Sequence, residues 1–237
     1  MLAAAGGDQA GQRTGPGQRV VLVTGSTGGL GREVARRLAA DGDHVIVNGR
    51  DLQRGSELVA EIQEEGRGSA RFYAADFASF REVRALALAI RRDYERLDVL
   101  VNNAGFLRDR MFASGSVEEW DAVMAVNVKS IFLLSKYAIP VMAAGGGGSI
   151  INTASYAGLA AFPSYGCYTA SKSAVIGFTK TAALELAPRG IRVNAVSAGP
   201  LATTAIRRIP GSARLADIWR DTSPLPWDPV ADKESVA

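Results

Sequence analysis

Three residues whose types could carry chemistry stand close together in SYAGLAAFPSYGCYTASK, the segment from Ser155 to Lys172. Tyr168 and Lys172 are spaced i, i+4, so on a helix they share one face and the ammonium lies near the phenol. A free phenol titrates at about 10, and a neighbouring cation stabilises the phenolate, so the pair can exchange protons near neutral pH. An isolated YxxxK also arises on any amphipathic helix, with the Tyr half-buried and the Lys solvated. The elements around the pair must decide between the two.

Composition narrows the choices. With 237 residues, 47% hydrophobic and 22% charged, the chain suits one globular domain with a sizeable core. The net charge of +3 is spread without dense basic runs, which argues against a nucleic-acid groove and leaves room for a small anionic ligand. Cys167 is the one cysteine and His44 the one histidine, so there is no internal disulfide and no Cys/His zinc set. We therefore expect a cytoplasmic protein in a reducing compartment, without a metal site. Residues 1–18 are rich in Gly, Ala and Gln and lack the basic start and apolar run of a signal peptide, so they are expected to be a disordered tail. No uninterrupted apolar run of membrane-spanning length is apparent, so no membrane partner is expected.

Residues 19–237 are expected to form a single domain. Val20 to Thr24 (VVLVT) has the β-branched, wholly apolar character of a strand buried on both faces of a parallel sheet. The turn TGSTGGLG follows, from Thr24 through Gly25, Ser26, Thr27, Gly29 and Leu30 to Gly31. Missing Cβ atoms there let main-chain amides approach a pyrophosphate at the start of the next helix. A second strand, His44 to Asn48, closes a βαβ unit. Leu52 to Glu65 reads as an amphipathic helix, Arg71 to Ala75 as a third strand followed by Asp76 and Phe77, and Phe80 to Leu97 as another helix. A fourth strand, Asp98 to Val101, runs into Asn102, Asn103, Ala104 and Gly105. Ser116 and Glu119 form an S-x-x-E helix start, with Asn127 inside that helix. Ser149 to Thr153 is a fifth strand that delivers Ser155 at its carboxyl end, where doubly wound sheets bind ligands. Ile191 to Val196 is a sixth. Asp76 can serve as a helix cap.

The spacing TGxxxGxG, the NNAG segment and the order of Asn127, Ser155, Tyr168 and Lys172 together resemble the short-chain dehydrogenase/reductase family over about Val20 to Thr203. The resemblance implies an α/β, three-layer, doubly wound parallel sheet of Rossmann type. It further implies hydride transfer between a nicotinamide cofactor and a carbonyl carbon, with Tyr168 as proton donor, Ser155 bonded to the substrate oxygen and Lys172 lowering the Tyr168 pKa while holding the nicotinamide ribose. Asn127 would sit in distorted backbone that holds a water of the proton relay. Asp76 would meet the adenine amino group, and Asn103, Ala104 and Gly105 would back the cofactor's ribose. Beyond the sixth strand, Gly199, Pro200, Leu201 and Thr203 match the segment that holds the nicotinamide carboxamide or the phosphates.

Cofactor choice turns on the end of the second strand. A carboxylate there would favour NAD, whereas this chain has Gly49 and then Arg50, whose guanidinium suits a 2′-phosphate and favours NADP(H). The second basic residue of many NADP-preferring relatives is replaced by Gly28. The LRD triplet, Leu107 to Asp109, is similar to members that reduce 3-oxoacyl-[acyl-carrier-protein] thioesters in fatty acid or polyketide metabolism, so an acyl-carrier-protein or CoA thioester is an expected substrate, and a homodimer or homotetramer the expected assembly. Tyr165 and Lys172 also give the YxxxxxxK spacing of enoyl-thioester reductases, to which SAGPLATTA and the closing residues are similar. Relatives normally continue into one more helix and a seventh strand; by mean element lengths roughly 30 to 40 residues are missing. That leaves a non-catalytic nucleotide- or partner-binding protein as a reading from another class.

Overall fold

The computed structural model describes residues 14–15 and 17–199. They form one six-stranded sheet, ordered β3-β2-β1-β4-β5-β6 and parallel throughout. The strands are β1 (Val20–Val23), β2 (His44–Gly49), β3 (Ser69–Ala74), β4 (Val99–Asn102), β5 (Gly148–Thr153) and β6 (Ile191–Val196). Between them run α1 (Gly29–Ala40), α2 (Leu52–Glu65), α3 (Phe80–Asp93), α4 (Val117–Met124), α5 (Ser130–Ala144) and α6 (Gly166–Leu186). The doubly wound Rossmann architecture is as expected. The expected tail up to residue 13, and Pro200, Leu201, Thr203 and everything after them, lie outside the described residues.

Successive strand residues point to opposite faces, and both faces of β1 are apolar because both are covered. Val20 and Leu22 pack with Leu86 and Ile90 of α3 and Leu134 and Met142 of α5. Val21 and Val23 pack with Ala35 and Ala39 of α1 and Leu58 and Ile62 of α2. Each buried Leu, Ile or Val contributes about 1.5–3 kcal/mol, so the two apolar layers, rather than the surface ion pairs, hold the sheet between its helices.

Three expectations shift. The helix from Phe80 ends at Asp93 instead of Leu97, because Tyr94 turns extended (φ −132°) and places its ring against His44, 5.3 Å between centroids. Asp76 does not cap α3. Ser79 does, its hydroxyl accepting from the Glu82 N–H at 3.3 Å, while Asp76 accepts from the Ala78 N–H at 3.0 Å in a local turn. Finally, α4, a π-helical turn at Ala125–Lys129 and α5 run on as one helix, Val117–Ala144, with the length and mean hydropathy (1.4) of a spanning segment. Residues such as Ile131, Leu133, Leu134 and Met142 supply that hydropathy, and they are buried in the core.

Candidate active site

The carboxyl end of β1 leads into the glycine turn. Gly25 and Gly29 have φ of +63° and +58°, a region that side-chain-bearing residues avoid. A Cβ on Gly25 would come 2.9 Å from the Ala104 Cα, and one on Gly31 would strike the Asn103 amide and the Gly25 carbonyl. At Gly28 and Gly29 a Cβ would meet nothing within 4 Å. The turn is thus tight on its inner side and open on the outer. Helix α1 starts there with no side-chain cap and no acidic residue in its first turn, whereas α2, α3 and α4 are capped by Asp51, Ser79 and Ser116. Its first main-chain N–H groups are therefore left for an anion, as a dinucleotide pyrophosphate requires.

Two residues assigned to the cofactor are committed to the fold. The Thr24 hydroxyl, buried, accepts from the Asn103 and Ala104 N–H groups, both at 2.9 Å. The Ser26 hydroxyl donates to the Val23 carbonyl at 2.8 Å and accepts from the Asn48 N–H at 2.9 Å. They clamp the turn to β2 and β4, so their part in binding is to shape main chain. Asn103 likewise spends its amide on the Thr24 carbonyl at 2.9 Å, and the Phe77 ring is buried in the core. Arg50 is exposed, with its guanidinium 3.8 Å from the Asp76 carboxylate, so the two residues proposed for the adenosine end meet at the carboxyl ends of β2 and β3.

The catalytic candidates converge beyond β4 and β5. Helix α6 carries Tyr168 and Lys172, and the Lys172 ammonium lies 5.7 Å from the centre of the Tyr168 ring. Ser155 stands two residues past the Thr153 end of β5, where its hydroxyl accepts from the Ala157 N–H at 3.2 Å. Burial pushes the Tyr168 phenol up, and the nearby Ser155 hydroxyl draws it back down. The expected Lys172 contribution is not among these causes, for the ammonium donates to the Thr153 carbonyl at 2.6 Å instead of pointing at the phenol oxygen. Burial lowers Lys172 itself to about 8. Tyr165 stands edge-on to Tyr168, 6.1 Å between centroids, buried where its main chain bridges to Arg110.

Asn127 occupies the middle of the π turn. There the Ser130 N–H reaches back to the Ala125 carbonyl, and the Ser130 hydroxyl takes the Val126 carbonyl at 2.5 Å, which satisfies a group the wide turn would leave open. The Asn127 amide makes three bonds, with both its N–H groups used. It accepts from the Phe106 N–H and donates to the Phe106 carbonyl and the Ser171 hydroxyl, each at 3.0 Å. A Cβ on Gly105 would come 3.2 Å from the Asn127 Oδ1 and 3.5 Å from the Lys172 Nζ, so the last residue of NNAG keeps the space beside the ammonium clear. Sequence reasoning missed Ser130, Ser171 and the Thr153 carbonyl. The VNVKS and TASK contexts contain the two serines, but only the fold shows what they bond.

The short chain dehydrogenase family model matches residues 19–211. The chain belongs to the short-chain dehydrogenase/reductase family. It is 42% identical over 186 residues to a 3-oxoacyl-[acyl-carrier-protein] reductase of Synechocystis sp., covering 78% of this chain and 75% of that protein. It is 40% identical over 184 residues to a 3beta-hydroxysteroid dehydrogenase of Mediterraneibacter gnavus, covering 76% and 64%. Among solved structures, a gluconate 5-dehydrogenase of Burkholderia cenocepacia in complex with NADP and tartrate superposes with a TM-score of 0.82 at 30% identity, over 90% of this chain and 83% of that one. The chain is accordingly an NAD(P)-dependent dehydrogenase/reductase of Rossmann fold. The uncapped α1 and the glycine cradle fit such a dinucleotide.

Proposed function

We propose that this dehydrogenase/reductase uses NADP(H) to reduce a ketone, of the class of a 3-oxoacyl thioester on an acyl-carrier protein or CoA, to a secondary alcohol. The observation that carries the reading is that Tyr168, not Tyr165, is the phenol set beside Lys172, whose ammonium lies 5.7 Å from the centre of its ring, and the one whose pKa Ser155 lowers. The bound nicotinamide supplies the hydride. Tyr168 gives its proton to the oxygen on which charge develops, and Ser155 holds that oxygen by a second hydrogen bond. At pH 7 Lys172, with its pKa about 8, is mostly ammonium, and its bond to the Thr153 carbonyl holds it beside the Tyr168 ring. Because both N–H groups of Asn127 are engaged, the π-turn main chain beside it is the part offered to the proton relay.

Preference for NADP(H) rests on Arg50. It is an exposed guanidinium at the end of β2, facing Asp76, and no carboxylate occupies the position that would select NAD. The 42% identity to a 3-oxoacyl-[acyl-carrier-protein] reductase supports the thioester class, as a 40% identity to a steroid dehydrogenase does the broader ketone class. In this reading the enzyme works in the cytoplasm as a homodimer or homotetramer.

Absorbance of NADPH at fixed enzyme concentration, with a 3-oxoacyl thioester and an enoyl thioester supplied separately, tests the assignment. Consumption with the first and none with the second is expected. In Tyr168→Phe, turnover should fall by about 100-fold or more while NADPH still binds, since a positioned proton donor is worth that much. Preferred enoyl reduction, or full activity in the variant, would sink the reading. NADPH binding with no turnover of any carbonyl would favour a non-catalytic binding protein.

A further inference from the structure

Helix α6 presents a buried face made of Ser171, Lys172, Val175, Thr179, Ala182 and Leu186. Two of these residues hold the helix to the rest of the fold in the same way. The Ser171 hydroxyl donates to the Tyr168 carbonyl at 2.7 Å and accepts from the Asn127 amide at 3.0 Å. The Thr179 hydroxyl donates to the Val175 carbonyl at 2.8 Å and accepts from the Asn152 amide at 2.9 Å. Because Thr179 has used its proton, the nitrogen side of Asn152 must face it, and the oxygen side then accepts from Asn102 at 2.9 Å. The order Asn102, Asn152, Thr179, Val175 is therefore a one-way chain that ties β4 to β5 and β5 to α6. All three side chains are buried.

This second tie sits where it can control the site. Lys172 and Thr179 are i, i+7, on one stripe of the helix and about 10 Å apart along its axis. Asn152 precedes Thr153, the residue whose carbonyl takes the Lys172 ammonium at 2.6 Å. One stretch of β5 thus grips α6 twice, by the Asn152 side chain and by the Thr153 main chain. Two residues beyond Thr153, Ser155 lowers the pKa of Tyr168. The chain also carries an apparent penalty: the Asn102 Oδ1 is buried without a side-chain or main-chain partner among the described residues. Three apolar residues of the same shape would avoid that penalty and pack equally well.

Building on the proposed reductase chemistry, we infer that Asn152 and Thr179 are positioning residues that set the height and rotation of α6, and so align Tyr168 and Lys172 with Ser155 and the end of β5. Sub-ångström register matters there, since misplacing a reacting group by about 1 Å can slow a reaction 100-fold.

Thr179→Val removes the hydroxyl at constant shape, and Thr179→Ser keeps it. With NADPH and a 3-oxoacyl thioester, kcat of Thr179→Val is expected to fall by about tenfold or more with the NADPH Kd nearly unchanged and the basic limb of the kcat–pH profile displaced; Thr179→Ser should restore both. Unchanged kcat and pH profile in Thr179→Val, or equal losses of turnover and NADPH binding, would overturn the inference. If Thr179→Val does not fold, the triple variant Asn102→Leu, Asn152→Leu, Thr179→Val replaces every partner together and is expected to keep its Tm yet turn over slowly; wild-type turnover there would also overturn it. Tyr168→Phe run alongside separates the two claims. Should that variant remain active, the proton-donor reading fails on its own, and the ultraviolet titration of Tyr168, taken as wild type minus Tyr168→Phe, still reports whether the Thr179 hydroxyl sets the phenol's surroundings. An unmoved titration in Thr179→Val would then count against positioning.

Discussion

Two buried polar clusters lie at opposite ends of the sheet, and one of them holds the residues proposed to carry the reaction. At the amino ends of β2 and β3, His44 meets the Ser69 hydroxyl at 2.7 Å through Nδ1 and the Tyr94 hydroxyl at 2.9 Å through Nε2. Nearby, Tyr73 donates to Asp93 at 2.7 Å, and Asp93 also pairs with Arg92 and Arg71. At the carboxyl ends, Lys172 has a main-chain carbonyl as its partner and no carboxylate within ion-pair distance among the described residues. Both clusters contain strongly displaced groups: burial lowers His44 to about 4, with help from Arg71, and burial lowers Lys172 to about 8. A displaced pKa therefore does not mark a site by itself. The distal cluster is closed, every acid or base answered by a side chain, whereas the proximal one opens past Gly105 toward a cradle of unfilled main-chain donors.

Replacing Lys172 by Met should break this contrast most severely. Turnover is expected to fall by about 100-fold or more, as for loss of a tuned acid–base partner. Stability should move the other way. The folded-state pKa lies below the unfolded value, so the neutral amine is preferred on folding; the associated stability is complete above about pH 10.5 and is lost as pH falls through 8. At pH 7 the buried ammonium then costs on the order of 3 kcal/mol, offset in part by its bond to the Thr153 carbonyl. Lys172→Met removes that cost, and calorimetry should show a Tm raised by several degrees in an inactive enzyme. A lowered Tm would mean that the ammonium is a structural tie like those of the distal cluster.

How much of this was legible beforehand follows from what each residue depends on. Period-2 and wholly apolar patterns depend on local burial alone, and β2, α2 and β6 stand within a residue of where His44, Leu52 and Ile191 begin them. The capping box at Ser116 and Glu119 is likewise local and is present. The end of α3 was missed because Tyr94 is drawn away by His44, fifty residues earlier, a tertiary pull that no local propensity records. That Tyr168 and Lys172 share a helix face was legible from their i, i+4 spacing, whereas Ser155 was joined to them by the family resemblance. What could not be read was the direction of each bond: that the ammonium faces Thr153, that Thr24 and Ser26 turn inward, or that the Asn127 amide is held by Phe106 and Ser171. Such directions depend on partners from other elements, and they decide which side chains remain free to act.

A smaller effect is expected at the distal cluster itself. His44 has a folded pKa near 4 against an ordinary 6.5, so its contribution to stability is full above pH 6.5 and is lost as pH falls toward 4. The loss amounts to at most about 3 kcal/mol. Asp93, held low chiefly by its hydrogen bond to Arg92, gives up its contribution only below the ordinary carboxylate range, outside that window. Urea unfolding of wild type and His44→Gln across pH 4.5–6.5, an interval set by those values, should show a slope in the first that is much flatter in the second, since Gln can bond Ser69 and Tyr94 without titrating. Parallel slopes would mean that His44 is not the acid-sensitive group.

The smallest effect sharpens the comparison most. Tyr73→Phe deletes the hydroxyl bonded to Asp93 but leaves Asp93 its contacts with Arg92 at 2.7 Å and Arg71 at 3.5 Å. Stability should drop by about 1.5 kcal/mol, the low end of the range for a hydrogen bond to a charged group, because Asp93 keeps its other partners. The Tyr73 main-chain carbonyl, which accepts from Asn48 at 3.0 Å, is untouched, and Asn48 in turn bonds the Gly25 N–H at 3.3 Å. That route, from the Tyr73 carbonyl through the Asn48 amide to the glycine turn, is spared by the substitution. The NADPH Kd and kcat should consequently stay within about twofold of wild type, as surface-remote, additive changes do. A larger change in Kd would show that the distal side chains, and not just the strand that carries them, bear on the cofactor turn, and the division into a closed lock and an open site would have to be redrawn.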